Sequence, residues 1–209
     1  MVEMRVFREA VLGRAAGEGG GPAGGLAGEL AGRLEVRTAV LVEGQSDLAA
    51  VEALAARHGR DLAAEGVCVV PMGGAMNVGR YVGLLGPQGL GLRLAGLCDE
   101  GEQGFYRRGL ERAGAPGEGF FVCAADLEDE LVRALGVPRV EEVVRAEGDL
   151  SAWRVFGRQP AQQDRTPHQR MRRFLGTKKG RKIRYGRLLA EALDLDRLPA
   201  PLEGLLLHL

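Results

Sequence analysis

The sequence predicts an α/β fold: a parallel sheet of about four strands flanked by helices, followed by a helical C-terminal extension. Three observations lead there. Four short apolar runs, at 38–43, 66–72, 92–98 and 119–124, are continuous rather than alternating, which is the pattern of strands buried on both faces. Each is followed by a stretch with helical spacing, at 47–58, 77–85, 102–113 and 127–135. Strict strand–helix alternation implies parallel strands joined by right-handed crossovers. After about Pro138 the strand signal stops and only helical periodicity continues.

Taken in order, residues 2–16 read as an amphipathic helix with Val2, Val6, Ala10 and Leu12–Gly13 on one side. Much of the chain's glycine (33 residues) is concentrated between Gly17 and Gly32, so that stretch reads as a flexible linker that regains helix near Leu30. The run TAVLVE ends in an acid and a glycine, and Gly44 is expected to allow a tight turn after Glu43. Leu48, Val51, Leu54 and Ala55 share the face of the next helix, and Asn77 is placed to cap the one after. The organisation expected is an N-terminal helix and linker over 1–37, an α/β core over 38–137 and a basic helical region over 138–209.

Composition narrows the class. The chain has 209 residues and 45% hydrophobic content, enough for a proper core. Cys68, Cys98 and Cys123 are widely separated, each inside an apolar run, and read as buried, reduced thiols rather than as disulfides or zinc ligands. No signal peptide is evident, and no apolar run approaches the ~20 residues of a membrane helix. A cytoplasmic setting without membrane association is expected.

Net charge is zero, but its distribution is lopsided. Between Arg154 and Arg187 stand twelve Lys/Arg against one acid, Asp164; the remainder has sixteen basic and twenty-seven acidic residues. That asymmetry points to a polyanionic partner, with a solvated basic surface as the bland alternative. Arg172, Arg173, Arg181 and Arg184 read as tracking a nucleic-acid backbone. Trp153 and Phe174 read as packing the C-terminal helices, and His168 as a polar surface residue.

The acids lie where a parallel sheet binds ligands, beyond the carboxyl ends of its strands. Glu43 and Asp47 follow the first run (VEGQSD), Asp99, Glu100 and Glu102 the third (CDEGE), and Asp126, Glu128, Asp129 and Glu130 the fourth (DLEDE). Crowded carboxylates repel one another unless cations lie between them. These motifs hold no His, and their one Cys, Cys98, reads as a core thiol, so an oxygen-preferring Mg²⁺ or Mn²⁺ suits the set. Asp47 is open to two readings, ligand or helix cap; Glu100, Asp129 and Glu130 read as solvated or as complementing helix dipoles.

VLVEGQSD, AGLCDEGE and ADLEDEL, in that order, resemble the Toprim domain of OLD-family nucleases, often labelled ATP-dependent endonucleases. The resemblance covers roughly 37–135 and continues to about 187. It implies a Toprim-like, Rossmann-like sheet and a two-metal site, with Glu43, Asp47 and Asp99 holding one ion and Asp126 and Glu128 the second. Glu43 would then belong to the catalytic centre. Two such ions about 4 Å apart can activate a water and stabilise a leaving oxygen. The wider Toprim pattern has a D-x-D pair, and here Gly101 stands at its second acid, which argues against topoisomerase or primase chemistry. The chain also lacks a GxxxxGK[ST] motif. It resembles a Toprim domain standing alone, and any ATPase is expected to be a separate partner.

All three lysines, Lys178, Lys179 and Lys182, fall within five residues, against twenty-five arginines. A lysine ammonium can meet a phosphate oxygen as a point charge. The resemblance implies a catalytic lysine C-terminal to the acids, and Lys182 is favoured because it begins a helix-like run; backbone contact by all three is the alternative. The function expected is a divalent-metal-dependent DNA endonuclease or nickase. The alternatives are a non-catalytic Toprim nucleic-acid-binding or recombination module, and a phosphatase or nucleotidyl-transfer enzyme.

Overall fold

The computed structural model describes residues 2–17 and 23–209. Its strands are β1 (Thr38–Val42), β2 (Val67–Pro71), β3 (Arg93–Asp99) and β4 (Phe120–Cys123). Its helices are α1 (Val2–Ala16), α2 (Ala23–Arg33), α3 (Gln45–Arg57), α4 (Val78–Leu85), α5 (Gln103–Ala113), α6 (Leu127–Leu135), α7 (Val137–Ala146), α8 (Leu150–Gly157), α9 (Pro167–Leu175), α10 (Lys179–Ala192) and α11 (Ala200–His208). The four strands form one parallel sheet in the order β2-β1-β3-β4.

The strands are continuously apolar because both faces of the sheet are covered. Ala39, Leu41, Cys68, Val70, Leu94 and Cys98 point into a core shared with α1, α2, α4 and α5. Their alternates Val40, Val42, Val67, Val69, Ala95 and Leu97 point into a second core built with α3 and the C-terminal helices. At Gly96 the sheet is so close that a Cβ would run into the carbonyl oxygen of Leu41. The three cysteines are buried and free. Among the described residues no helix is long and apolar enough to cross a membrane.

The amino-terminal reading needs two corrections. The buried stripe of α1 is Met4, Phe7, Val11 and Ala15, a helical i, i+3/i+4 ladder, while Val6 is exposed. Of the expected linker, residues 18–22 lie outside the described residues, but Ala23–Arg33 is helix. Ala27, Leu30 and Ala31 of α2 are buried with α1, and this packing overrides the low helix propensity of glycine. Asn77 does precede α4, but its side chain donates back to the Met72 carbonyl (3.0 Å) instead of capping the helix.

The C-terminal helices close one face of the sheet. Helix α10 lies along α3 so tightly that a Cβ on Gly186 would come within 2.6 Å of the Ser46 carbonyl oxygen. Arg57 Nη1 donates to the carbonyls of Ala190 (3.1 Å) and Leu193 (2.7 Å), tying down the end of α10. Trp153 and Phe174 pack edge to face at 5.3 Å within that core, as expected. Because β1 has β2 on one side and β3 on the other, the chain reverses its direction of winding between β1 and β3. That reversal opens a crevice at the carboxyl ends of the two strands.

Candidate metal centre

Glu43 and Asp99 stand on either side of this crevice. The Glu43 carbonyl is fixed by the amides of Gly73 (2.9 Å) and Gly74 (3.1 Å), which follow β2. Gly44 is extended (φ −145°, ψ −175°), so the turn into α3 makes no use of glycine's left-handed region. Asp99 ends β3 and opens a 3-10 turn, Glu100–Glu102. Ligand oxygens of Glu43, Asp99 and Glu102 lie within 4.8 Å of one another.

Glu102 is the member that sequence reasoning places among the strand-end acids but does not assign to an ion. Gly101 leaves a D-x-D pattern without its second acid, but residues three apart in a 3-10 turn lie on the same side. Glu102 thereby comes back beside Asp99. Its Oε2 is buried without a hydrogen-bond partner, and so is Oε1 of Glu128. Orphaned anionic oxygens of this kind, in an all-carboxylate set, fit a hard divalent cation.

Asp47 stands just behind. It is buried, with Oδ2 accepting from the Gly44 amide (2.8 Å) and Oδ1 from Ser46 Oγ (3.3 Å). Of the two readings open for Asp47, the structure displays the helix cap, and the residue is not among the converging three.

The acids after β4 are arranged differently. Asp126 caps α6, accepting from the Asp129 amide (2.8 Å). Arg172 of α9 grips the same carboxylate through Nε (2.9 and 3.0 Å) and Nη2 (2.6 Å). Lys182 Nζ lies 3.3 Å from Glu128 Oε2. His168 Nε2 is 2.7 Å from Asp129 Oδ1, so this histidine is half-buried and partnered rather than a free surface residue. Glu130 is not solvated either: it accepts from the Ala124 amide (2.8 Å) and pairs with Arg133 (2.8 Å). Glu100 is exposed, as expected.

Burial and mutual repulsion favour the protonated forms of Glu43, Asp47, Asp99 and Glu128. Asp99 is pushed up to about 8, first by burial and then by Glu43, Asp126 and Asp47. Glu128 rises to about 7, mainly by burial, with Lys182 opposing. Glu43 is raised by burial and by Glu102. Burial works against the Lys182 ammonium, but Glu128, Asp47 and Asp126 outweigh it and hold its pKa above the ordinary lysine value. Burial likewise pushes the neighbouring Cys98 thiol up to about 12, which leaves the metal chemistry to oxygen.

The cations expected along a nucleic-acid backbone divide into two groups. Arg173 and Lys178 are exposed. Arg172 is committed to Asp126, while Arg184 pairs with Asp149 and Glu147. Arg181 lies 3.6 Å from Asp149 and stacks over the Phe174 ring at 4.2 Å. The Lys179 side chain lies outside the described residues. Arg165, Gln169, Arg172, Arg173, Thr177 and Lys182 line an open cavity of about 590 Å³ together with Asp126, Glu128 and Asp129.

Comparison with known proteins agrees with this fold. Residues 36–100 match the model of the family described as "Overcoming lysogenization defect protein-like, TOPRIM domain". The solved C-terminal region of the Burkholderia pseudomallei OLD protein shares the fold, with a TM-score of 0.62 at 22% identity, over 83% of this chain and 96% of that one. The C-terminal region of the Xanthomonas campestris pv. campestris OLD protein matches at 29% identity and a TM-score of 0.58, over 82% of this chain and 93% of that one. No curated protein matches the sequence.

Proposed function

We propose that this chain, whose residues 36–100 match the OLD-like Toprim domain, hydrolyses DNA phosphodiester bonds as a divalent-metal-dependent endonuclease or nickase. The observation that carries the reading is the convergence of Glu43, Asp99 and Glu102 in the crevice between β1 and β3. The basic-walled cavity beside Asp126 and Glu128 supports it. Glu43, Asp99 and Glu102 would hold one Mg²⁺ or Mn²⁺, with Asp126 and Glu128 available for a second; Asp47 would support Glu43 from behind. Ions so held would supply Lewis-acid activation of a water and of the phosphate.

The chain's own residues have definable tasks. Asp99 and Glu128, protonated in part near neutrality, give up those protons as positive charge arrives. Lys182, held over Glu128, can place a full charge on a phosphate oxygen where negative charge builds up. Arg165 and Arg173 line the cavity and can hold a flanking phosphate. Arg181 and Arg184 are better placed to brace α10 than to follow a strand.

The test is cleavage of supercoiled plasmid. Nicked or linear product should form with Mg²⁺ or Mn²⁺ and not with EDTA. Glu43→Ala and Asp99→Ala should each abolish it while retaining a cooperative melt. Cleavage in EDTA, or by both variants, overturns the proposal.

A further inference from the structure

The two acidic groups differ in how their charge is balanced. Among the described residues, no Lys, Arg or His is ion-paired with Glu43, Asp99 or Glu102. After β4, both acids of the proposed site have a protein cation on them: Arg172 on Asp126 and Lys182 on Glu128. The Arg172 fork is the more complete, since it occupies both oxygens of Asp126, while Oδ1 also receives the Asp129 amide. A carboxylate held by a bidentate guanidinium has little lone-pair capacity left for a metal.

We infer that Arg172 is a positioning residue that competes with a divalent cation for Asp126, and that DNA phosphate relieves the competition by taking Arg172 in exchange. The inference rests on the two-metal reading above. The guanidinium has somewhere to go. Its side chain is 40% exposed and borders the same cavity as Arg165 and Arg173. Among the described residues Arg165 and Arg173 make no ion pair in that cavity, and a phosphodiester is the anion the proposed reaction brings to them. Binding at Asp126 and binding of DNA in the cavity are therefore linked: each strengthens the other by the same factor. Until DNA arrives, the acids after β4 stay neutralised from within, and the converging trio takes the first ion.

Mn²⁺ titration followed by calorimetry and electron paramagnetic resonance tests this without reference to cleavage. The parent protein should take one ion that is lost in Asp99→Asn, and a second more weakly. Arg172→Gln should strengthen the second ion on the order of tenfold, the scale of releasing one partly exposed, charge-assisted pair, and leave the first unchanged. Adding Asp126→Asn to Arg172→Gln should remove the gain. Arg172→Lys, which keeps the charge but not the fork, should lie between and serves as the reference should Arg172→Gln melt early. Second-ion affinity that is unchanged or weaker in both Arg172 variants overturns the competition and leaves the metal reading standing. Absence of any Mn²⁺ binding by the parent overturns both.

Discussion

Lys182 is the side chain whose charge reaches both acidic groups: it pairs with Glu128 and acts on Glu43 and Asp47. A lysine that only held backbone phosphate would contribute to affinity; one at the reacting phosphate contributes to rate. Lys182→Ala should therefore lower single-turnover cleavage by about 100-fold or more while DNA affinity changes only a few-fold. Binding by anisotropy and cleavage in a quenched time course separate the two. Unimpaired turnover would remove Lys182 from the chemistry. The scarcity of lysine elsewhere draws attention to the cluster of three, and the helix-like run that follows favours Lys182 among them. Glu102 could not be assigned from sequence, because a motif written as D-x-D counts positions along an extended chain, whereas the 3-10 turn after Asp99 folds the third residue back. Asp47 stayed ambiguous for a related reason: a carboxylate three residues after Gly44 suits an amide and a cation equally well until its burial is known.

At the scale of elements, the strands and their order along the chain were legible because burial on both faces leaves a continuous apolar signature. The start of α2 was not. Gly24, Gly25, Gly28 and Gly32 lower intrinsic helicity, and the contacts that compensate come from α1, across a segment that sequence alone treats as free chain. The most exacting contact between elements is α10 on α3. Gly186→Ala should push α10 away from the Ser46 carbonyl and destabilise the protein by roughly 1–3 kcal/mol, the usual cost of overpacking. Since Lys182 is one turn before Gly186 on the same helix, cleavage at a temperature where the variant is fully folded should fall as well. Denaturant melts and activity at that temperature check both halves, and a variant as stable as the parent would show that the contact is not tight.

For the whole molecule, the electrostatics make a prediction with a definite sign. Asp99 and Glu128 titrate near 8 and 7 in the folded chain, but near 4 when unfolded. Groups with raised folded pKa values bind more protons in the native state, so stability is fully present below about pH 4 as far as these two groups are concerned. It is lost as pH climbs through the interval to about 8. Metal-free protein should melt lower at pH 8.5 than at pH 5.5, and Mg²⁺ should raise the melting temperature more at the higher pH. Asp99→Asn combined with Glu128→Gln should flatten that dependence. A metal-free melting temperature that does not fall over this range would argue against the crowding. The overall charge asymmetry was readable from composition, but its use was not. Arg172 and Asp126 are 46 residues apart, and Arg184 and Asp149 are 35 apart. Counting charges along a chain does not reveal which of them already face a partner.

The return of α10 across α3 bears on how such a protein can be divided or recombined. The segment that matches the OLD-like Toprim model ends at residue 100, short of Asp126, Glu128, Arg172 and Lys182. Those four arrive with α6, which Asp126 caps, and with α9 and α10, and the apolar residues of these helices fill one face of the same sheet. The unit of inheritance visible in the sequence is therefore smaller than the unit of folding, and a graft cut at the segment's edge would transfer half a charge cluster onto an uncovered sheet. Exchange between relatives should succeed only when the later helices travel with the strands they cover.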